Sequence, residues 1–146
     1  MKQTIKNGKI IELFDTLCEV DRNSPDLDIA IRFKNKSNFR KLKELVDDIM
    51  AQRSEIIRKY WKQKELDGKL HYIFKFEDGD KWEVDNFDKY NDAIKQLMDI
   101  ETELELTRVP VVITVNKSWV WSAKGLCATT SQLDILESIF DYSLEE

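Results

Sequence analysis

The feature that most constrains this chain is a stretch of about thirty residues, 35–64, that contains neither glycine nor proline. Its apolar side chains recur at alternating steps of three and four residues, which places them on one face of a single helix. Arg53 occupies the one position of this seam that is not apolar, and Ser37 or Asn35 can cap the start. The stretch therefore predicts a long amphipathic helix whose seam must pack on another element. The seam residues are Phe39, Leu42, Val46, Ile49, Ile56 and Tyr60.

A second segment with the same spacing, Phe87 to Ile100, carries the opposite charge. Residues 34–65 hold ten Lys/Arg and five Asp/Glu, whereas residues 77–105 hold eleven Asp/Glu and three Lys. Two such helices of opposite sign predict an antiparallel helical hairpin over about residues 35–100. Each exposed ion pair contributes only roughly a few tenths of a kcal/mol, so the buried seam is expected to supply most of the stability.

Residues 70–85, between the two helices, show the alternation of a β-hairpin. Apolar and polar residues alternate on both sides of Asp78-Gly79-Asp80, which is a turn sequence. A two-residue loop would place Phe76 opposite Lys81, whereas a three-residue loop places Phe76 opposite Trp82. The pattern therefore favours the three-residue loop.

The N-terminal part is predicted from shorter patterns. Gln3 to Lys6 is a candidate strand, and Ile10 to Val20 has the spacing of an amphipathic helix. Residues 21–26 have the composition of a loop. Leu27 to Phe33 alternates apolar and polar residues, which indicates a half-buried strand or an extended lead-in to the long helix.

The C-terminal part, residues 104–146, predicts strands followed by a helix. Apolar residues alternate from Leu104 to Val115, and Pro110 within this run indicates an edge strand or a break into two strands. The segment 123–130 is expected to be a loop, and a last helix should begin at a cap at Ser131 or Thr130 and extend to about Tyr142.

Taken together, these patterns predict one α+β domain spanning residues 1–146. Its centre is a long antiparallel helical hairpin, with small β-hairpins and a C-terminal helix around it.

Composition and charge exclude several classes of protein. A net charge of −5 gives no general attraction to nucleic acid or to an anionic membrane. No run approaches the roughly 18 apolar residues that cross a bilayer, and the N-terminus does not have the pattern of a signal peptide. Cys18 and Cys127 lack the spacing of a redox or zinc motif, so we expect two reduced thiols, with a disulfide between them as the alternative.

No motif for catalysis, metal binding or cofactor binding is present in the sequence. His71 is the only histidine, which leaves no basis for a catalytic triad or a histidine-rich metal site. The acidic residues that follow Asp78 fail the spacing of a calcium-binding loop, because the twelfth position is Lys89. None of the four glycines lies in a phosphate-binding context. We therefore expect no enzymatic activity, no metal and no cofactor.

The residues that most suggest a binding site are Trp119, Val120 and Trp121. In a strand the two tryptophans share one face, and Val120 takes the other. Two tryptophans on one face of an edge hairpin could anchor a protein partner, because interface anchors are enriched in tryptophan. The alternative is that both cap the core of the domain itself.

The basic helix raises a nucleic-acid alternative, since contacts to phosphate groups need clustered cations. The acidic segment 77–105 can neutralise these cations within the chain, so nucleic acid is not the expected partner. The cations cluster at the two ends of the helix, at Lys34, Lys36, Arg40, Lys41 and Lys43, and at Arg58, Lys59, Lys62 and Lys64.

Five stretches mark the order of the elements along the chain. They are Asn7-Gly8-Lys9, Leu27 to Phe33, Leu45 to Tyr60, Asp67-Gly68-Lys69 and Glu101 to Leu106. With a final Leu-rich helix, this order resembles a family of short, uncharacterised proteins of tailed bacteriophages. The resemblance covers most of the chain and rests on periodicity and turn residues, and the segment from Arg108 to Thr129 is longer than in that family.

The resemblance implies a phage gene product of the kind often encoded among virion morphogenesis genes. We therefore expect a non-enzymatic protein that acts by protein–protein contact, as a virion structural component or as an assembly factor of the head or tail. It would work in the virion or the host cytoplasm, with other virion proteins or further copies of itself as partners and no membrane. The alternatives are a phage-encoded inhibitor of a bacterial defence system and a nucleic-acid-binding accessory protein.

Overall fold

The computed structural model describes the backbone of residues 2–66, 68–74, 84–116, 119–121 and 124–144, and the side chains of these residues outside 61–66, 69–74 and 84–87. The chain forms two compact units. Residues 1–46 and 101–146 form the first unit, and residues 47–100 form the second. That the chain is a single domain stays a prediction.

Helices and short sheets alternate along the described part of the chain. The helices are α1 (Asn7–Arg22), α2 (Ile29–Tyr60), α3 (Val84–Asp99) and α4 (Thr130–Ile135), and a 3₁₀ turn (Leu136–Ser138) follows α4. The strands are β1 (Lys2–Lys6), β2 (Trp61–Leu66), β3 (Lys69–Phe74), β4 (Glu101–Glu105), β5 (Val109–Asn116), β6 (Trp119–Trp121), β7 (Cys127–Thr129) and β8 (Phe140–Leu144). The predicted α+β class, with a long helical hairpin, small β-hairpins and a C-terminal helix, is confirmed.

The first unit contains a four-stranded sheet and a two-stranded ribbon. The sheet has the order β7-β6-β5-β8, in which β5 and β8 are parallel and the other neighbours are antiparallel. In the ribbon, β1 pairs antiparallel with β4, and Lys6 lies opposite Glu101. The ribbon therefore joins two segments that are far apart in sequence.

The core of the first unit is formed by buried side chains of helix α1, the first half of α2, the four-stranded sheet and the C-terminal helical segment. Helix α1 contacts both α4 and the 3₁₀ turn. Its buried side chains recur at helical spacing, as predicted, and each contributes ~1.5–3 kcal/mol by leaving water. The largest fully buried apolar side chains are Ile10, Leu13, Leu17, Val20, Leu42, Val109, Val120, Leu126, Leu136, Ile139 and Phe140.

The long helix α2 begins and ends earlier than its sequence pattern indicates. It runs from Ile29 to Tyr60, so the expectation of a strand or extended segment over Leu27 to Phe33 is wrong. Asp28 precedes the helix, and its Oδ1 accepts a hydrogen bond from the N–H of Ala30 at 2.8 Å. This carboxylate satisfies one of the free N–H groups at the helix start, which permits helix formation there.

The seam of α2 is buried over its middle and becomes more exposed toward its end. Leu42, Val46 and Ile49 are buried, whereas Tyr60 is half-buried. Arg53, the one polar position of the seam, is exposed. The periodicity thus located the buried face correctly in the half of the helix where apolar residues are uninterrupted.

In the second unit, a β-hairpin that the sequence analysis did not predict follows α2 directly. Strands β2 and β3 pair antiparallel from Trp61 opposite Phe74 to Leu66 opposite Lys69. Gly68, at the turn, has φ +75°, a left-handed conformation that suits glycine. Of the expected hairpin over residues 70–85, the first strand agrees with β3, whereas Val84 begins α3 instead of ending the second strand. Its expected turn at Asp78-Gly79-Asp80 lies outside the described residues.

The pair of helices in the second unit is joined at its hairpin end by an aromatic contact. The rings of Tyr60 and Tyr90 lie edge to face, with centroids 6.1 Å apart and an interplanar angle of 68°. Such a pair adds about 0.5–1.5 kcal/mol beyond the area it buries. Tyr60 is the last residue of α2, so the contact holds α3 against the point where the chain leaves the long helix.

The C-terminal helix is shorter than its apolar spacing predicts. Helix α4 and the 3₁₀ turn end at Ser138, and residues from Phe140 onward form β8 instead of a helix to about Tyr142. The cap is Thr129, one residue before those expected: its side chain accepts from the N–H of Gln132, whose side chain accepts from the N–H of Thr129. This capping box fixes the helix start.

Two buried polar side chains, Ser24 in the α1–α2 loop and Asn38 in α2, hydrogen-bond to backbone groups far away in sequence, and neither was anticipated from the sequence. Ser24 Oγ accepts a hydrogen bond from Cys127 N at 2.8 Å and lies 3.1 Å from Cys127 O. Asn38 Oδ1 accepts from Thr107 N at 2.7 Å, while its Nδ2 donates to Thr107 O at 2.8 Å. Because these groups are buried, each of these hydrogen bonds replaces a hydrogen bond to water that the group loses on folding.

Candidate functional site

Strand β6 places Trp119 and Trp121 on one face of the four-stranded sheet. Trp119 lies opposite Asn116 of β5, and Trp121 lies opposite Thr114. Because β6 pairs with β7 on its other side, the expectation that these residues form an edge hairpin is wrong. Pairing on both sides fixes the backbone that carries the two indole rings.

Exposure divides the three residues that the sequence singled out. Trp119 is 60% exposed and Trp121 is 41% exposed, whereas Val120 is 1% exposed. Val120 faces the core and lies opposite Val115 and Ala128. It therefore anchors the strand, and the two tryptophans are the residues that reach solvent.

The tryptophans belong to a larger apolar surface, which we call the outer-sheet patch. Side chains alternate between the two sheet faces, so residues two apart on β5 and those opposite them share the tryptophan face. Val112 on this face is 52% exposed, and Pro110 and Cys127 are also exposed. The patch consists of Pro110, Val112, Trp119, Trp121 and Cys127.

The sequence contained a signal for the additional members of this patch. Residues 109–113 are apolar without interruption, so a strand there must present apolar side chains on both faces. Of the alternating apolar residues in this run, Val109, Val111 and Ile113 are buried. The other two residues of the run, Pro110 and Val112, lie on the opposite face and point outward. Cys127 lay in an expected loop, and only its pairing opposite Trp121 places it in the patch.

Pro110 is accommodated because β5 has a single neighbour at that point. Strand β8 pairs with β5 over Val109–Ile113, whereas β6 pairs with β5 only over Thr114–Asn116. A proline lacks the N–H that a neighbour on the other side would need. Of the two alternatives that Pro110 indicated, β5 does not break into two strands. At Pro110 it is instead an edge, since only β8 pairs with it there.

A cleft of about 500 Å³ borders the outer-sheet patch at Pro110 and Val112. Its other wall comes from the first turns of α2, including Ala30 and Ile31, and cationic side chains lie at its rim. One of these, Lys124, lies 3.7 Å from the Asp28 carboxylate. The cleft extends the apolar surface beyond the sheet and adds a polar margin to it. The cleft is lined by Asp28, Ala30, Ile31, Lys34, Pro110, Val111, Val112 and Lys124.

The two cysteines differ in their surroundings, and both are free thiols. Cys18 is half-buried on α1, and burial, together with the nearby carboxylates of Asp15 and Asp21, raises the pKa of its thiol. A raised thiol pKa lowers the thiolate fraction and therefore the nucleophilicity at neutral pH. Cys127 is exposed beside Trp121, so the thiol that partners and reagents can reach is the one in the patch.

Other candidate features of the sequence are placed as follows. Within the described residues, no group of three or more His, Cys, Asp or Glu side chains could hold a metal ion. In the same part of the chain, no helix has the length and hydropathy needed to span a membrane. The side chain of His71 and the residues Asp78 and Asp80 lie outside what the structure describes.

The basic cluster predicted near the start of the long helix is exposed, at Lys34, Lys36, Arg40, Lys41 and Lys43. Lys41 donates a hydrogen bond to the carbonyl oxygen of Glu105 at 2.7 Å, which fixes one of these cations against β4.

Comparison of the chain with protein-family models, with curated proteins and with solved structures finds no match.

Proposed function

We propose that this protein acts by contact with another protein through the outer-sheet patch, as a virion structural component or an assembly factor of the head or tail of a tailed bacteriophage. The observation that carries the proposal is the exposure of Trp119 and Trp121 side by side on a sheet whose strands are paired around them. Tryptophan is among the residues most enriched at the energetic centres of protein interfaces.

The patch is suited to binding because its apolar side chains are held on a rigid strand. The exposed parts of the two indoles amount to roughly 200 Å² of surface, and Val112 and Cys127 extend this area. Contiguous exposed apolar surface of this kind marks interaction sites in soluble proteins. Since β6 is fixed on both sides, little backbone entropy is lost when a partner covers the rings.

The order of elements along the chain supports the phage context of the proposal, through the resemblance described above. The partner is another virion protein or a further copy of this chain, and the protein works in the virion or the host cytoplasm. In either case we infer a binding role without catalysis, since the sequence contains a single histidine and no motif for nucleophilic catalysis.

The experiment compares the wild-type chain with the double variant Trp119→Ser/Trp121→Ser. Light scattering coupled to size exclusion measures the mass in solution, and immunodetection on purified particles of the encoding phage measures incorporation. We expect the wild type either to form a discrete multiple of 17.3 kDa or to be present in particles. The double variant should lose that property, because the apolar area that a partner buries is gone.

Leu144→Ser is the matched control, because Leu144 is 68% exposed on the same sheet but points to the opposite face from Val112. It should leave both readouts unchanged. A double variant that keeps the oligomeric mass and the incorporation of the wild type would contradict the proposal. A monomeric wild type that is absent from intact particles would instead favour the inhibitor of a bacterial defence system.

A further inference from the structure

The first turns of helix α2 expose two large apolar side chains on the face that points away from the core. Ile29 is 83% exposed and Phe33 is 76% exposed, the highest values for large apolar side chains among the described residues. They lie four residues apart and are therefore neighbours on one helix face. Ile31 and Leu42, on the opposite face, are buried. This part of α2 is thus apolar on two sides, and only one of them is covered within the unit.

A shallow groove of about 470 Å³ runs beside these two side chains. Phe39, which is half-buried, contributes to its lining. Arg32 forms part of the wall and is held in place, because its Nε lies 3.4 Å from Asp21 Oδ1 and its Nη2 donates to the carbonyl oxygen of Ser24 at 2.8 Å. The guanidinium is therefore not available to cover Phe33, and the groove can take an apolar side chain from outside.

Positive charge surrounds this apolar surface. Residues 29–43 contain six Lys/Arg and no Asp or Glu. Lys36 and Arg40 lie seven residues beyond Ile29 and Phe33 on the same face, which is about 10.5 Å along the helix axis. Both are exposed, and neither forms an ion pair or hydrogen bond within the described part of the chain.

The charges decide which kind of partner fits. A second copy that presented the same stripe is unfavourable in either orientation: a parallel pair brings the cations of both chains together, and an antiparallel pair leaves Lys36 and Arg40 without an acidic partner. A phosphate-rich ligand would meet the carboxylate of Asp21 in the groove wall. A protein segment that carries both kinds of side chain fits this surface, because its apolar side chains fill the groove and its acidic side chains pair with the two free cations.

We propose that the first turns of α2 bind an acidic amphipathic helix of a partner protein, in antiparallel orientation. Two acidic side chains four residues apart would meet Arg40 and Lys36. Two apolar side chains, three and seven residues after the second acid, would then pack on Phe33 and Ile29. The acids lie toward the N-terminus of the bound helix, where its dipole favours them. This surface shares no residue with the outer-sheet patch, so the inference does not rest on the proposed function.

A displayed library of helical peptides, randomised at those four positions, tests the inference on the full chain. Selection for binding to the wild-type chain should enrich acidic residues at the first two randomised positions and apolar residues at the last two. The variants Ile29→Ser and Phe33→Ser should bind the selected peptides at least tenfold more weakly, since each removes an exposed anchor. Selection against Lys36→Glu/Arg40→Glu should enrich Lys or Arg at the two acidic positions. Trp119→Ser should select the same peptides as the wild type.

The inference is overturned if the library yields no enrichment above that obtained with Phe33→Ser, or if charge reversal leaves the selected peptides unchanged. It is also overturned if Lys36→Glu/Arg40→Glu abolishes binding to a single-stranded DNA oligonucleotide or to phosphatidylglycerol vesicles while no helix is selected. If the Phe33→Ser variant has a lower mass in solution than the wild type, a second copy of the chain occupies the groove. That result would also overturn the inference.

Discussion

A Cβ atom at position 125 would overlap the carbonyl group of Asp26 and lie 2.8 Å from the backbone nitrogen of Leu27. Gly125 also has φ +86°, which L-residues with side chains rarely adopt. The close approach brings the α1–α2 loop against the segment that leads into β7. In the same region, the N–H of Asp28 donates to the carbonyl oxygen of Lys124 at 2.6 Å.

Gly125→Ala is therefore expected to destabilise the chain by about 2–5 kcal/mol, because backbone strain and overpacking act together. Urea unfolding followed by circular dichroism measures the change in the free energy of unfolding. Gly68→Ala is the matched control: Gly68 has a similar φ of +75°, but no heavy atom lies within 4 Å of the added carbon. It should cost only about 1 kcal/mol. Equal losses for the two variants would show that the close approach to Asp26 does not matter.

At the scale of the element, the start of α2 shows how one short pattern can fit two structures. Leu27, Ile29, Ile31 and Phe33 alternate as in a strand, yet Leu27 and Ile31 are also four apart, as on a helix face. A run of seven residues satisfies both periods. The structure forms a helix from Ile29 onward, in which Ile31 is buried and Ile29 and Phe33 are exposed. Leu27, two residues before the helix, is also buried.

Substitutions on α2 distinguish the helix from the strand. In a strand, Ile31 and Phe33 would share a face, and both replacements would be costly. In the helix, Ile31→Ala should lower the free energy of unfolding by about 2–4 kcal/mol, because it leaves a cavity. Phe33→Ala should change it by less than about 0.5 kcal/mol, as surface substitutions do. Urea titration of both variants provides the measurement, and similar large losses would contradict the helical assignment of these turns.

Other elements were predictable to the extent that their patterns were local. The spacing of α1, the buried middle of α2 and the common face of Trp119 and Trp121 follow from side-chain direction within one element. Strand β2 was not predictable, because Trp61–Leu66 consists largely of helix-forming residues and becomes a strand by pairing with β3. The parallel pairing of β8 with β5, and with it the outward face of Val112, depends on contacts distant in sequence.

At the scale of the whole molecule, the first unit is assembled from two separate parts of the chain, and residues 47–100 form a unit of their own. The first unit has a continuous apolar core that includes Leu17, Val109 and Phe140. Helix α2 crosses the boundary between the units without interruption. This arrangement has the form of one unit inserted into another.

Replacing residues 47–100 by a flexible Gly/Ser linker of about 12 residues, which spans roughly 20 Å on average, should leave the first unit folded. The expected result is a cooperative urea transition and dispersed amide resonances for strands β5, β6, β7 and β8, because their core partners lie in the retained part. The same linker in a chain that also carries Leu17→Ala should give a lower transition midpoint. A non-cooperative transition in the first variant would show that the chain folds as one domain, as its length suggests.

The ribbon of β1 and β4 has a consequence for the order of folding. Its innermost pair, Lys6 and Glu101, is separated by 95 residues along the chain. The entropy lost in closing a loop grows with its length, by about 0.6 kcal/mol for each doubling. Contacts within helices and hairpins such as β2–β3 close far shorter loops and form first. Once they are made, the effective loop between β1 and β4 is much shorter. The ribbon is therefore a late event on the folding pathway, and the N-terminal strand stays available to other strands until then.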